Sequence, residues 1–183
     1  MMKSIWGIPR CDKKELKSPK QVLIGLGSSL GDRVGHLRMG LLHLSYHRQI
    51  QVGMLSKVWQ TQPLGNAKNP FLNMCARVQT TLSPREMLNE LFKIELSLKR
   101  IRGVHWMDRT LDLDLLLYEE VIINTPSLQV PHPRMLDRSF VMIPALEIAG
   151  DMNHPILDRV LSDSEQTSNL AMWSVGRFVF VKA

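Results

Sequence analysis

Hydrophobic and polar residues alternate with a period of two in several short stretches of the chain, and they repeat at helical spacing between them. Alternation is typical of half-buried β-strands, and apolar residues three and four apart are typical of amphipathic helices. The pattern predicts strands over 21–27, 51–61, 71–81, around Asp112, over 128–130 and over 177–181. It predicts helices after the turn at 27–32, over 84–99 and over 139–149.

The predicted helices also carry local signals. On the first helix one face is apolar, formed by Val34, Leu37, Leu41 and Leu44. The second begins with an N-cap, a proline at its first position and a capping-box glutamate, namely Ser83, Pro84 and Glu86. Its predicted buried stripe is Met87, Leu91, Ile94 and Leu98. Gly150 fits a C-cap for the third helix.

The element order is β-α-β-β-α-β followed by a C-terminal appendage. This is the order of the ferredoxin-like α+β fold, an antiparallel sheet flanked by helices that lie on one face. No internal repeat or linker divides the chain after residue 20. We therefore predict a single domain over 21–183, preceded by a basic segment over 1–20 that is either a disordered extension or a cloning remnant.

The positive charge of the chain is unevenly distributed along the sequence. The 183 residues carry a net charge of +6, but six basic against two acidic side chains place +4 of it in residues 1–20. The nearly balanced remainder argues against a nucleic-acid partner. No apolar stretch approaches the roughly 18 residues of a membrane span, and the first residues lack the apolar centre of a secretory signal. We expect a cytoplasmic protein without a membrane partner, in which Cys11 and Cys75 are free thiols.

The most informative segment is RTLDLDLLLY at 109–118. On a strand, Asp112 and Asp114 lie on one face and the leucines on the other. Two neighbouring carboxylates repel each other unless a cation compensates them, and a hard divalent ion shared with substrate phosphates does so. The alternative is an edge strand whose acidic face is merely solvated. The phosphate interpretation is favoured by the cations just upstream, Lys99, Arg100, Arg102, His105 and Arg109.

Three further features have two interpretations each. The stretch Gly25–Gly31 lacks the ending of a P-loop, which favours a tight strand-to-helix turn, with close backbone approach to a ligand as the alternative. Phe71 and Asn73 share a strand face, so they either contact a flat heterocycle or simply pack at an edge. His132 lies between two prolines, which suits a phosphate contact, although a lone histidine is more often structural.

Four blocks of sequence occur in an order that resembles a known family: GLGSSLGDR at 25–33, QPLGNAKNPFLN at 62–73, HWMDRTLDLDLLLY at 105–118 and VPHPRMLDRSF at 130–140. They resemble the hydroxymethyldihydropterin pyrophosphokinases of tetrahydrofolate biosynthesis, over about residues 21–150. The resemblance implies a ferredoxin-like core and transfer of pyrophosphate from ATP to 6-hydroxymethyl-7,8-dihydropterin, with release of AMP. The implied partners are these two small molecules, and the expected state is a monomer.

The resemblance also implies roles for individual residues. Asp112 and Asp114 are implied to bind two Mg²⁺ ions, and Arg100 and Arg109 to act with them as catalytic cations. The implied pterin site consists of Gly27, Thr61, Gln62, Leu64, Phe71, Asn73, Trp106 and Phe140. The implied ATP site consists of Glu95, Arg102, His105, Trp106, Arg109, Leu115, His132 and Arg138.

The chain departs from the family pattern at four positions. Ser29 stands where asparagine is usual, Phe71 where tyrosine is common, Asp108 where proline is frequent, and Ser127 where some members have arginine. Stacking survives the change at Phe71, and Ser29 puts a local hydrogen bond in doubt. The charge of Asp108 is expected to weaken the hold of Arg100 and Arg109 on the phosphates or to loosen the loop that carries them. Ser127 is expected to lower nucleotide affinity.

Two other functions compete with this one. A different DxD-type transferase, acting on nucleotides or sugar nucleotides, needs a nucleotide-binding α/β domain, and the chain lacks the long run of alternating strands and helices that builds one. An RNA-binding ferredoxin-like module matches the basic pI and the topology. Such a module carries aromatic and basic residues on its central strands, whereas this chain places Asp112 and Asp114 there.

Overall fold

The computed structural model describes residues 18–63, 67–98, 108–164 and 172–178. Within these ranges the α-helices are α1 (Arg33–Tyr46), α2 (Pro84–Ser97) and α3 (Ser139–Ala149), with a 3-10 helix at Leu161–Asp163. The main-sheet strands are β1 (Lys20–Ser28), β2 (Ile50–Leu55), β3 (Lys57–Thr61), β4 (Phe71–Thr80), β5 (Asp112–Tyr118) and β10 (Met172–Arg177). Two short hairpins pair β6 (Ile123–Thr125) with β7 (Leu128–Val130) and β8 (Asn153–His154) with β9 (Arg159–Val160).

The main sheet is antiparallel, in the order β10-β3-β4-β1-β5, and β2 also pairs with β4. The single strand predicted over 51–61 is divided into β2 and β3 at Ser56, which is fully buried. Its N–H donates to the Cys75 carbonyl, and its Oγ accepts from the Cys75 N–H at 2.9 Å. At this bend a side-chain oxygen therefore takes the place of a backbone carbonyl as the hydrogen-bond acceptor. The predicted β-α-β-β-α-β order of the elements is confirmed.

Helices α1 and α2 cover one face of the sheet, as predicted for the ferredoxin-like core. Leu37, Leu41 and Leu44 of α1 are fully buried there, whereas Val34 is 49% exposed and does not belong to the predicted stripe. Val34 lies in the first turn of α1. The helix-side core also contains Met87, Leu91 and Ile94 of α2, with Leu98 partly buried against it.

The N-terminus of α2 is formed as the sequence predicts. Ser83 Oγ accepts from the Glu86 N–H at 3.3 Å, and Glu86 Oε2 accepts from the Ser83 N–H at 2.7 Å. This reciprocal pair satisfies two N–H groups that a helix start otherwise leaves without partners. The capping box therefore fixes where α2 begins.

Helix α3 packs on the opposite face, where it contacts Leu23, Cys75 and Leu117. Its predicted bounds, Ser139–Ala149, are confirmed. Glu147 ties it to the sheet by accepting from the Lys57 N–H at 2.8 Å and from Trp59 Nε1 at 2.9 Å. The appendage therefore adds a second layer to the core, which the one-faced ferredoxin-like plan does not contain.

The last described strand differs from its prediction. β10 spans Met172–Arg177 and pairs with β3, whereas the sequence predicted a strand over 177–181. Residues 179–183 lie outside the described ranges. Among the helices of the described ranges, we find none with the length and apolar character to cross a membrane.

Candidate active site

A cavity of about 250 Å³ opens on the sheet face that α3 covers in part. Two rows of paired residues form its floor: Asn73, Gly27 and Asp112 in one, Cys75, Gly25 and Asp114 in the other. Directly paired residues on neighbouring antiparallel strands point to the same face. The sheet register therefore places β4, which carries the amide and an aromatic residue, on one side of β1. It places β5, which carries the two carboxylates, on the other.

Gly25 and Gly27 leave the centre of this floor as bare backbone. A Cβ added at Gly27 would lie 3.3 Å from Asn73 Oδ1 and 3.7 Å from Asp112 Cβ. Gly31 follows in the turn before α1 with a φ of +61°, in the left-handed region that glycine adopts at low cost. The tight turn is confirmed, and the open floor leaves room for close backbone approach by a ligand.

The β4 side of the cavity combines aromatic walls with a fixed amide. Phe71 from β4 and Phe140 from α3 both line it. Asn73 is 7% exposed, and its Nδ2 donates to Thr61 Oγ1 at 3.1 Å. Because this bond fixes the carboxamide, its remaining donor and acceptor capacity is pre-oriented. Such a wall suits a flat, polar heterocycle.

The β5 side carries the paired carboxylates, each beside a guanidinium group. Arg109 Nη1 donates to Asp112 Oδ2 at 2.7 Å, and Arg138 Nη1 lies 3.9 Å from Asp114 Oδ2. Arg138 also lies 5.6 Å from the centre of the Phe140 ring. These cations offset the repulsion between the two aspartates. They also bring positive charge to the edge of the aromatic cavity.

The donor set at this position fits a hard divalent ion better than zinc. The described residues contain no cluster of three or more histidine, cysteine or carboxylate ligands. Two carboxylates with open coordination positions suit Mg²⁺, which usually keeps water and takes substrate phosphates as ligands. Asp112 and Asp114 therefore fit a metal completed by a phosphorylated substrate.

His132 lines the cavity as a neutral imidazole. Burial, together with the positive charges of Arg138 and Arg134, lowers the pKa of His132 to about 4. Its Nδ1 accepts from the Arg134 N–H at 3.2 Å, which leaves the ring proton on Nε2. At neutral pH this side chain can donate a hydrogen bond to a phosphate but does not contribute a charge.

The turn after β1 anchors the chain that leads into β5. Ser28 Oγ donates to the Thr110 carbonyl at 2.5 Å, and Ser29 N–H donates to the Arg109 carbonyl at 2.9 Å. Ser29 Oγ in turn accepts from the Arg109 N–H at 2.9 Å. The serine that stands where the family has asparagine therefore makes a local hydrogen bond, which positions the backbone of Arg109.

Several residues that the resemblance assigned to the site lie elsewhere or outside the described ranges. Glu95 is fully buried in α2, where its Oε1 accepts from the Leu113 N–H at 2.8 Å. Leu115 is 4% exposed in the helix-side core, and Gln62 is exposed; neither lines the cavity. Leu64, Arg100, Arg102, His105 and Trp106 lie outside the described residues.

The structure adds residues that the sequence analysis did not assign to the site. The lining also includes Gly25, Ala67, Cys75, Arg134 and Val141. Cys75 is a free, buried thiol, and burial, with the negative charges of Glu147 and Asp114, raises its pKa. Arg134 lies two residues after His132 in the block at 130–140 that resembles the family, so the sequence offered a signal for it.

The position of Ser127, where some members of the family have arginine, is contacted by another arginine. Ser127 Oγ accepts from Arg85 Nη2 of α2 at 2.7 Å.

The fold and the site together define a class of protein. It is a ferredoxin-like α+β protein in which paired carboxylates and guanidinium groups adjoin an aromatic-walled cavity, a combination that handles phosphate beside a heterocycle. The family model for 7,8-dihydro-6-hydroxymethylpterin-pyrophosphokinase (HPPK) matches residues 23–150. The chain belongs to this family.

Similar proteins agree with this assignment. A 2-amino-4-hydroxy-6-hydroxymethyldihydropteridine pyrophosphokinase of Bacillus subtilis is 43% identical over 126 residues, 68% of this chain and 75% of that protein. The enzyme of that name from Haemophilus influenzae is 39% identical over 72% of this chain and 83% of its own length.

A solved structure shares the fold at low identity. The chain superposes on Plasmodium falciparum HPPK-DHPS with a TM-score of 0.64 at 12% identity, over 81% of this chain. The chain spans only 44% of that longer protein. At this identity the likeness concerns the fold alone.

Proposed function

We propose that the chain transfers pyrophosphate from ATP to the hydroxymethyl group of 6-hydroxymethyl-7,8-dihydropterin and releases AMP, as a step of tetrahydrofolate biosynthesis. The observation that carries this proposal is the register across β1. It brings Asn73 and Asp112 to opposite sides of Gly27, so that a heterocycle wall and a carboxylate pair share one floor. Family membership agrees with it.

The pterin is proposed to lie between Phe71 and Phe140. Both rings line the cavity, and an electron-poor heterocycle stacks favourably between aromatic faces. Asn73, held by Thr61, offers its amide to the polar edge of the ring, and the bare backbone at Gly27 admits the ring closely. Leu64 and Trp106 are assigned to the pterin from the family resemblance.

The phosphates are proposed to lie over Asp112 and Asp114, which would hold two Mg²⁺ ions. Bound Mg²⁺ supplies charge neutralisation to the triphosphate and acidifies a coordinated hydroxyl group. Arg109, Arg138 and Arg134 add cations along the same wall, and His132 adds a neutral donor. Arg100, Arg102 and His105 are assigned to the nucleotide side from the resemblance.

The reaction needs no covalent intermediate on the protein. The hydroxymethyl oxygen of the pterin forms a bond to the β-phosphorus, the bond from that phosphorus to the oxygen of AMP breaks, and the hydroxyl proton is released. Arginine donors that face the phosphates stabilise the charge on the departing AMP. Most of the rate acceleration then comes from positioning and charge neutralisation.

Two residues that the family resemblance assigned to the ATP site are proposed to support the site indirectly. The positions of Glu95 and Leu115, buried on the helix side, favour a role in holding β5 over a side-chain contact with ATP. We further propose that the protein acts as a monomer. Residues 1–19 are proposed to lie outside the catalytic domain, because β1 begins at Lys20.

The deciding experiment is to measure AMP release from ATP and Mg²⁺ with and without the pterin. Pterin-dependent AMP formation is expected. ADP instead would indicate transfer of a single phosphate, and AMP or other nucleotide products independent of pterin would return the chain to the nucleotide-transferase class. Binding of RNA without turnover would favour the RNA-binding module.

The carboxylate pair provides a matched test. Replacing Asp114 with asparagine is expected to lower kcat by about 100-fold or more, since a fixed charge at the reacting phosphates is lost. Asp158→Asn, in the β8–β9 turn away from the cavity, should leave the rate unchanged. Near-normal turnover of the Asp114→Asn variant would remove the metal role from this strand.

A further inference from the structure

Asp108 joins two segments on either side of the cavity. Its carboxylate accepts from the N–H groups of Lys68 and Asn69 at 3.3 and 3.2 Å, and from Asn69 Nδ2 at 2.7 Å. Desolvation opposes ionisation, but the hydrogen bonds from Asn69 and Lys68 hold the pKa of Asp108 below its usual value. The expectation that this charge weakens the hold of Arg100 and Arg109 on the phosphates or loosens their loop stays a prediction, because residues 99–107 lie outside the described ranges. Within those ranges, Asp108 holds Lys68 and Asn69.

The segment that Asp108 holds is a wall of the cavity. Ala67 lines the cavity directly, and Phe71 begins β4 four residues later. At the far end of this segment, Arg33 Nη1 donates to the Pro70 carbonyl at 2.9 Å. Residues 67–70 are therefore fixed at two points, by Arg33 at the start of α1 and by Asp108.

Asp108 is followed directly in the chain by Arg109, the cation beside the proposed phosphate site. The backbone of the next residue, Arg109, is bonded to Ser29 in both directions, and its side chain donates to Asp112. One residue thus connects the wall beside the proposed heterocycle with the strand that carries the proposed phosphate ligands. A shift of either segment is transmitted to the other through three hydrogen bonds.

We propose that Asp108 is a positioning residue that couples the two substrate subsites, by holding the wall at 67–70 against the segment that carries Arg109. A first substrate that orders one segment then also orders the other, and the second substrate binds a site that is already arranged. The coupling must be reciprocal between the two ligands. This inference rests on the proposed function for the identity of the two ligands.

The first test needs no substrate. Amide hydrogen exchange is compared in the unmodified chain, Asp108→Ala, Asp108→Asn and the control Asp158→Asn. Loss of the acceptor should speed exchange at Lys68 and Asn69 by about fivefold in Asp108→Ala, and less in Asp108→Asn, which keeps an acceptor oxygen. Exchange within β1 and β4 should not change. Unaltered exchange at Lys68 and Asn69 would overturn the inference.

The second test measures coupling. Pterin affinity is determined with and without a non-hydrolysable ATP analogue and Mg²⁺. The unmodified chain should bind the pterin more tightly in the presence of the analogue, and Asp108→Ala should reduce this enhancement by about tenfold, a typical coupling magnitude. An equal loss of pterin affinity under both conditions would mean that Asp108 only supports the wall, and would overturn the coupling.

The two tests separate this inference from the proposed function. If the unmodified chain forms no AMP with the pterin, the proposed function fails, whereas the exchange measurement still decides whether Asp108 holds residues 67–70. If AMP forms but the enhancement is equal in the unmodified and Asp108→Ala chains, the function stands and the coupling role is lost. Asp108→Asn provides a variant of nearly the same size if Asp108→Ala does not fold.

Discussion

At the scale of single residues, Gly27 shows how a missing side chain shapes the site. Gly27→Ala would place a methyl group 3.3 Å from Asn73 Oδ1, so the carboxamide must move and its bond to Thr61 is strained. We expect the KM for the pterin to rise about tenfold with a smaller change in kcat, as for a lost binding contact. Steady-state kinetics of AMP formation check this.

Gly150→Ala is the matched control for that substitution. A Cβ at Gly150 meets only ordinary contacts, the nearest at 3.4 Å, and its φ of −57° suits alanine. Its kinetic constants should equal those of the unmodified chain. An unchanged KM for Gly27→Ala would show that the pterin does not approach the floor of the cavity.

His132 predicts a pH dependence of stability. Its pKa of about 4 in the folded protein lies below the usual histidine value, so the unfolded chain binds the proton first as the pH falls. The free energy of unfolding should therefore decrease from about pH 6.5 to about pH 4, by at most about 1.4 kcal/mol per pH unit for one proton. Urea denaturation across this range measures it.

The control for this prediction is His132→Asn, which should show a shallower decrease. Burial also lowers the pKa of His154, so the unmodified chain carries both contributions and the difference between the two chains isolates His132. Parallel decreases in the two chains would show that His132 is protonated as easily in the folded protein as in the unfolded one.

Some site residues could be predicted because their relation is local. Asp112 with Asp114, and Phe71 with Asn73, share a face since strand periodicity alone relates residues two apart. Cys75 and Arg134 were not assigned, because their proximity to the carboxylates depends on strand register and on the path of a loop. The contacts of Asp108 could not be predicted, since its partners, Lys68 and Asn69, are about 40 residues away in the chain.

At the scale of elements, β5 is supported on both edges. β1 pairs with it on one side, and Glu95 of α2 accepts from the Leu113 N–H on the other. Glu95→Ala would leave that buried N–H without its acceptor, and we expect the free energy of unfolding to fall by about 2–3 kcal/mol. Glu95→Gln keeps a carbonyl acceptor and should lose less. Chemical denaturation of the variants checks both values.

Glu90→Ala on the same helix is the control for Glu95. Glu90 pairs with Lys93 at the surface, at 2.6 Å, and such pairs contribute only about 0.5 kcal/mol. If Glu95→Ala cost no more than Glu90→Ala, the bond to Leu113 would not hold β5. In that case a nucleotide role for Glu95 would become the better explanation of its position.

The predictability of an element follows the range of the interactions that form it. α2 begins where its capping box lies, because all the partners are within four residues. The strand over 51–61 is interrupted by a contact between Ser56 and Cys75, 19 residues apart. β10 is mostly exposed, so its hydrophobic pattern does not mark its bounds, and its pairing with β3 depends on residues more than 100 positions earlier.

At the scale of the whole molecule, the boundary predicted at residue 20 falls inside β1. Lys20 pairs with Thr80, and its Nζ lies 2.7 Å from Glu119 Oε2. Deleting residues 1–18 should therefore leave kcat and KM within about twofold, because the deletion ends before the sheet begins. AMP formation by the shortened chain measures this.

A longer truncation serves as the control. Deleting residues 1–22 removes Val22, which is fully buried and pairs with both Val78 and Tyr118, and should destabilise the protein markedly. A chain that lacks 1–18, is folded and is inactive would show that the first residues take part in the site.

The general architecture was predictable, but its second layer was not. The order of elements follows from local periodicity, and it identifies the ferredoxin-like core. α3 is apolar around most of its circumference, so no amphipathic stripe indicates which sheet face it covers. Because it packs beside the cavity, it contributes Phe140 and Val141 to the site as well as a core of its own.

The bare backbone of β1 bears on how resistance to an inhibitor could arise. A compound that rests on Gly27 touches a position where every replacement adds atoms near Asn73 and Asp112. A mutation there would weaken binding of the natural substrate together with that of the drug. Resistance is then expected at wall positions that the substrate does not stack on, such as Ala67, and a compound that draws its affinity from the floor leaves fewer routes of escape.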